Sequence, residues 1–206
     1  MELWNIEQEY FSRGIHVICG VDEAGAGPLM GPVYAAAVIL PPEYEIAGLN
    51  DSKKLTEKKR EALYDVIVRE AVAWNVASVS AREIDETDIL SARLKAMQMA
   101  ISGLSVVPEL ALIDGNRDQG RTSQITAPHL LIVGGDGKSA NIAAASVLAK
   151  VSRDRFVTEV LDKEYPEYQF ARHKGYGTAL HYEMLDRFGP CPEHRMTFLK
   201  KWRDKK

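Results

Sequence analysis

The chain has 206 residues, 46% of them hydrophobic and 27% charged, with a formal net charge of −3. This suits one globular domain with a small appendage, and it excludes a disordered chain or a uniformly basic nucleic-acid coat. The charge is uneven, about +4 from Lys150 onward and about −7 before it.

No segment approaches the ~20 apolar residues of a membrane-spanning helix, and the acid-bearing N-terminus does not read as a secretory signal. Two cysteines, Cys19 and Cys191, make neither a metal spacing nor a disulfide framework. A cytoplasmic setting with reduced thiols is therefore expected.

Residues 17–22 read as a strand and 33–40 as a second, nearly all apolar. Thr56 is placed as the N-cap of a helix running to about residue 71. Residues 74–80 form a loosely alternating strand. Leu90, Leu94, Met97, Ile101 and Leu104 give a helical period over 90–104. Short buried-type strands are predicted at 110–113 and 129–133, each followed by an Asp-containing glycine turn. Ser139 is placed as the cap of a long helix from 140 to about 163, broken near Pro166, with shorter helices near 178–188 and 194–206. This order predicts an α/β fold with a mixed central sheet flanked by helices. Residues 1–206 are read as one domain, and the part from about 166 to 206 as a C-terminal helical extension.

The chemistry concentrates where strands end. Val21-Asp22-Glu23, Ile113-Asp114-Gly115 and Gly135-Asp136-Gly137 each place an acid beside or near glycine. A lone Asp-Gly at a strand end is commonly only a turn, but two adjacent carboxylates leaving an apolar strand need neutralisation. If the three strands are neighbours, four carboxylates meet, and two divalent cations would resolve their repulsion. Oxygen-only ligands favour Mg²⁺ or Mn²⁺ over zinc. The glycines of Ala24-Gly25-Ala26-Gly27-Pro28 allow close approach to the backbone. A dinucleotide fingerprint fails in the same segment, because Met30 holds the place of its third glycine.

Several blocks, in order along nearly the whole chain, resemble the type 2 ribonucleases H, the bacterial ribonuclease HII family. They are Gly20-Val21-Asp22-Glu23-Ala24-Gly25-Ala26-Gly27-Pro28-Leu29, Leu49-Asn50-Asp51-Ser52-Lys53-Lys54-Leu55, Leu112-Ile113-Asp114-Gly115-Asn116, Gly135-Asp136, the helix from Ile142 to Asp154, and His173-Lys174-Gly175-Tyr176-Gly177-Thr178 with His181 beyond. The sequence shows no added N-terminal substrate-binding domain, which favours ribonuclease HII over ribonuclease HIII.

The resemblance implies an RNase H-like fold and metal-dependent hydrolysis of the RNA strand of RNA/DNA hybrids. It also implies incision 5′ to single ribonucleotides in duplex DNA, leaving 3′-hydroxyl and 5′-phosphate ends. By the same resemblance Asp22, Glu23, Asp114 and Asp136 would hold two metal ions. Gly25, Ala26, Gly27 and Tyr176 match the elements that read the ribose, and Lys53 matches a phosphate contact. Ser146, Lys150 and Arg153 share a helix face and are expected to meet the substrate. The family usually has arginine at position 26. Alanine there raises an alternative: a weakened enzyme that binds RNA–DNA junctions with little cleavage. His173, His181 and His194 are read as loop-packing residues or proton carriers.

Overall fold

In the computed structural model, which describes residues 2–50, 52, 55–115 and 124–204, a 3-10 turn (Glu2–Trp4) leads into α1 (Asn5–Phe11). The chain then forms β1 (Ile18–Ala24), β2 (Val33–Ile39), α2 (Glu57–Glu70) and β3 (Ala73–Val79). Next come α3 (Ala81–Glu86), α4 (Ile89–Ser102), β4 (Leu110–Asp114) and β5 (His129–Ile132). A 3-10 turn at Gly135–Gly137 precedes α5 (Ala140–Phe156), which continues through a π-helical turn (Val157–Leu161) into α6 (Asp162–Glu164). A further 3-10 turn (Pro166–Tyr168) and three helices follow: α7 (Phe170–His173), α8 (Ala179–Phe188) and α9 (Lys200–Arg203).

The sheet order is β3-β2-β1-β4-β5. β1 runs antiparallel to β2 and parallel to β4, and β5 is parallel to β4. Central strands of a sheet covered on both faces read as continuous apolar runs, as Val33 to Ile39 does. Cys19, Val21, Ala35, Ala37 and Ile113 pack with Leu94, Met97 and Ile101 of α4. The alternate residues Ala36 and Val38 pack with Ala144, Val147 and Leu148 of α5 and Ile67 of α2. Ile18 and Leu112 meet Ile142 on that same side.

The mixed α/β architecture is as expected, and both proposed caps are present: Thr56 accepts from the Lys59 N–H at 3.3 Å and Ser139 from the Ile142 N–H at 3.2 Å. Three local readings change. α1 and α3 had no counterpart in the sequence reading, although Ser80 accepts from the Glu83 N–H at 3.2 Å as an N-cap. The long helix changes to π-type at Val157. The helix expected over 194–206 is only Lys200–Arg203. The segment before it is held elsewhere: His194 bridges to Met30, and the Met196 and Thr197 N–H groups donate to Asp85 at 2.6 and 3.0 Å.

α5 lies so close to β1 that only glycine fits between them. A Cβ on Gly20 would sit 2.0 Å from the Asn141 carbonyl carbon and 2.1 Å from the Ile142 nitrogen. Backbone cannot move aside as a flexible side chain can. Gly20→Ala is therefore expected to destabilise the fold by about 3 kcal/mol or more, measured by urea unfolding. A loss under about 1 kcal/mol would mean that the helix–strand spacing is not rigid.

Candidate active site

Strand pleating sorts the acids. Successive side chains on a strand point to opposite faces, so Asp22 shares the α5 side with Ile18 while Glu23 shares the α4 side with Cys19 and Val21. Val21 pairs with Ile113 in the parallel register, which brings Asp22 and Asp114 to neighbouring strand ends. The Gly135–Gly137 turn supplies Asp136 just before α5.

One carboxylate oxygen from each of Asp22, Asp114 and Asp136 lies within 4.8 Å of the other two. The Glu23 N–H donates to Asp22 Oδ1 and the Gly135 N–H to Asp114 Oδ1, both at 2.7 Å, which orients two of the three. Glu23 is outside this group. Its Oε1 pairs with the Arg93 guanidinium of α4 at 2.6 Å. The structure thus brings together three of the four expected acids and sets the fourth on the opposite sheet face against an arginine.

This donor set fits a divalent cation. All three groups are carboxylates, with no imidazole or thiolate among them, and hard oxygen donors suit Mg²⁺ or Mn²⁺. Three like charges at this spacing repel one another, and a dication offsets that repulsion.

The loop after Asp22 and Glu23 rests on two buried arginines. Gly25 has φ of +91°, and a Cβ there would lie 2.1 Å from Arg153 Nε, so no other residue fits. Arg153 is fully buried and donates to the carbonyls of Pro32, Met30 and Lys174 at 3.3, 3.3 and 3.1 Å. The expectation that Arg153 faces the substrate is therefore corrected: its helix face packs inward. Ser146 is also buried, with its hydroxyl donating to the Ala143 carbonyl at 3.0 Å.

Lys150 is partly exposed, pairs with Asp154 at 2.8 Å, and lies 6.0 Å from the Tyr176 ring centroid. Tyr176 is exposed, and its ring is 3.8 Å from where a Cβ on Gly27 would be. Gly27 is exposed and Ala26 half-buried. Lys53 lies outside the described residues.

The sequence reading passed over Arg93 and Arg195. Arg195 is buried and donates to four carbonyls of the loop, Gly25 at 2.7, Ala26 at 3.1, Pro28 at 2.9 and Gly31 at 2.9 Å. Burial, with the nearby Arg153 charge added, brings its pKa down to about 9, so it stays protonated at neutral pH. No spacing signal marks a lone arginine of this kind.

The three histidines form one buried network. The Cys191 N–H donates to His194 Nδ1 at 3.0 Å, which leaves the proton on His194 Nε2. That nitrogen then donates to His181 Nε2 at 3.0 Å, and His181 Nδ1 donates to the Tyr176 carbonyl at 3.0 Å. His173 stacks on His181 with ring centroids 4.4 Å apart. Burial pushes the pKa of both His181 and His194 down to about 4, and a charge on one further opposes a charge on its neighbour. The neutral ring is the resting form of both, so packing, rather than proton transport at the acids, is the role the structure gives them.

A five-stranded mixed sheet with carboxylates gathered beside parallel strand ends is an RNase H-like fold with an acidic site that suits a divalent metal. The family model described as Ribonuclease HII matches residues 19–203. Ribonuclease HII of Acetivibrio thermocellus is 50% identical over 200 residues, 97% of this chain and 76% of that protein. The Caldicellulosiruptor bescii enzyme is 48% identical over 197 residues, covering 96% and 93%. The crystal structure of ribonuclease H2 from Pyrococcus horikoshii superposes with a TM-score of 0.75 at 27% identity, over 91% of this chain and 97% of that one. The chain belongs to the ribonuclease HII family, and is a type 2 ribonuclease H, a divalent-metal-dependent endoribonuclease of RNA/DNA hybrids.

Two outcomes are expected. Mg²⁺ or Mn²⁺ should raise the melting temperature by binding the folded acid cluster. Asp136→Asn should remove most of that rise, and an undiminished rise would place the ion elsewhere.

The second concerns pH. The folded-state pKa values of His181 and His194, about 4, lie below the ordinary 6.5. Their contribution to stability is complete above 6.5 and drains away as pH falls towards about 4, because the unfolded chain takes up the protons first. Glu7, whose carboxyl is raised by burial, works in the opposite direction. Melting temperature should fall from about pH 7 to about pH 4.5, and less steeply in His194→Gln. Equal slopes would show that the histidines are not the source.

Proposed function

We propose that this enzyme incises duplex DNA 5′ to an embedded single ribonucleotide, as well as cutting the RNA strand of hybrids, and leaves 3′-hydroxyl and 5′-phosphate ends. The observation that carries this reading is the junction of the three-carboxylate cluster with the Gly25–Ala26–Gly27 loop, which faces Tyr176. Asp22, Asp114 and Asp136 are the proposed metal ligands. Glu23, set on the other face against Arg93, would have to give up that partner to serve as a fourth ligand. Two Mg²⁺ or Mn²⁺ ions would supply activation of water and stabilisation of the leaving 3′-oxygen.

The remaining roles belong to the protein's own groups. The backbone of residues 25–27 approaches the ribose, whose 2′-hydroxyl distinguishes RNA from DNA. Tyr176 offers a ring to pack against the sugar and a hydroxyl for hydrogen bonding. Lys150, already at the Tyr176 edge, and Lys53 are the proposed phosphate contacts. Arg153 and Ser146 act from inside the fold. The whole chain is read as one catalytic domain, supported by the bonds from residues 193–195 back to the loop. Two free thiols and the absence, among the described residues, of a helix long and apolar enough to cross a membrane accord with a cytoplasmic setting.

The second reading rests on Ala26, which carries neither the charge nor the donors of the family's arginine. An end-labelled DNA duplex with one ribonucleotide separates the two. The expected result with Mg²⁺ is a single cut 5′ to the ribonucleotide, abolished by EDTA. Asp22→Asn should lower the rate by about 10³-fold or more while duplex affinity survives. Ala26→Arg should raise the rate. Binding without metal-dependent cutting selects the impaired variant, and near-normal turnover by Asp22→Asn removes the proposed site.

A further inference from the structure

Residues 193–195 contribute nothing to the acid cluster, yet they are tied to both walls of the proposed ribose pocket. The Gly31 N–H donates to the Glu193 carbonyl at 2.8 Å and the Arg195 N–H to the Leu29 carbonyl at 2.9 Å. Leu29 in turn donates to Gly175 at 2.8 Å, one residue before Tyr176.

Every hydrogen bond of the Arg195 guanidinium goes to a backbone carbonyl, its carbon lies 5.2 Å from the Phe198 ring centroid, and neither it nor Arg153 makes an ion pair among the described residues. Burying two like charges side by side is costly, and apolar residues of similar volume would serve stability as well or better. What their hydrogen bonds do fix is the course of the backbone: Arg195 holds residues 25, 26, 28 and 31, and Arg153 holds 30, 32 and 174.

That shape follows from peptide planarity. In a trans peptide the C=O of one residue and the N–H of the next point in opposite directions. The Gly25 and Ala26 carbonyls point at Arg195, so the Ala26 and Gly27 N–H groups point away from it. Neither N–H has a hydrogen-bond acceptor among the described residues. Across from Gly27 stands the Tyr176 ring, whose carbonyl is held by His181 Nδ1–H, itself held by His194.

We propose that the His194–Arg195 pair is the positioning element of ribose recognition. Arg195 draws the loop carbonyls inward and so presents the Ala26 and Gly27 N–H groups outward, and His194, through His181, sets Tyr176 opposite them. The ligand is a single ribose hydroxyl, whose oxygen accepts from the amides. The two guanidinium charges behind the loop also attract the phosphates flanking that sugar. This inference rests on the ribose reading given above.

The test compares the affinity of the full-length protein, in EDTA to prevent cutting, for two labelled duplexes that differ only by one ribonucleotide. Wild type is expected to prefer the ribonucleotide duplex. Arg195→Lys keeps a charge but cannot span four carbonyls with a planar fork, and His181→Gln loosens the Tyr176 arm alone. Each should lower the preference by about five- to tenfold while affinity for the all-DNA duplex changes by less than about twofold.

An unchanged preference in the folded variants overturns the positioning role, as does a parallel loss for both duplexes, which marks a purely structural part. If Arg195→Lys does not fold, His181→Gln decides the matter on its own. A wild type without preference overturns the ribose reading itself, and this inference with it.

Discussion

The contact between α5 and β1 governs the geometry of the acidic end of the sheet. The helix backbone occupies the place where a side chain on Gly20 would stand, and because α5 begins there, the turn before it delivers Asp136 to the ends of β1 and β4. The start of the helix is held from beneath. Glu7 of α1 accepts from the Ser139 hydroxyl at 2.6 Å, the Asn141 amide side chain at 3.1 Å and the Asn141 N–H at 3.3 Å. Asn141 also accepts from the Leu40 N–H at 2.8 Å, which ties the helix to the strand β2 just left. A carboxylate under a helix N-terminus is favoured by the helix dipole, while its burial raises its pKa. The N-terminal segment thus braces the start of α5 and the turn that carries Asp136.

The pleat of β1 divides the charge. Adjacent carboxylates on one strand would repel strongly if they shared a face. Alternation places Asp22 with Asp114 and Asp136, and gives Glu23 its own counter-ion in Arg93. Repulsion within the three-acid group is the part left for a cation to offset, which links stability to metal occupancy. Glu23, paired with Arg93, stands outside the group that the backbone and the turn hold together.

Local rules made much of this legible. Thr56 and Ser139 announce their helices because capping is a matter of one side chain and one N–H, and the strands ending at Asp22 and Asp114 follow from apolar runs. Ser80-Ala81-Arg82-Glu83 carries the capping-box pattern that starts α3, a signal of the same local kind. The site was legible in residue type but not in arrangement. That Glu23 parts from Asp22 depends on the β1–β4 register, which no single segment contains. The spacing of Ser146, Lys150 and Arg153 fixes one helix face, but not whether that face meets water. The last helix is short because His194, Met196 and Thr197 are committed to Met30 and Asp85, contacts more than 100 residues away in sequence.

The departure at position 26 separates two parts of the loop that an arginine would combine. A side chain there supplies charge and donors in front of the loop, and alanine removes them. The backbone direction is held from behind by Arg195, through the Gly25 and Ala26 carbonyls, whichever side chain position 26 carries. Peptide planarity makes inward carbonyls and outward N–H groups one and the same property, so the loop cannot turn its amides inward without breaking bonds to buried, charged donors. Those bonds are among the stronger hydrogen bonds available to a protein, and each leaves a buried group unsatisfied when lost. The outward direction of these amides is therefore a property of the fold, and the change at Ala26 touches only the side chain in front of them.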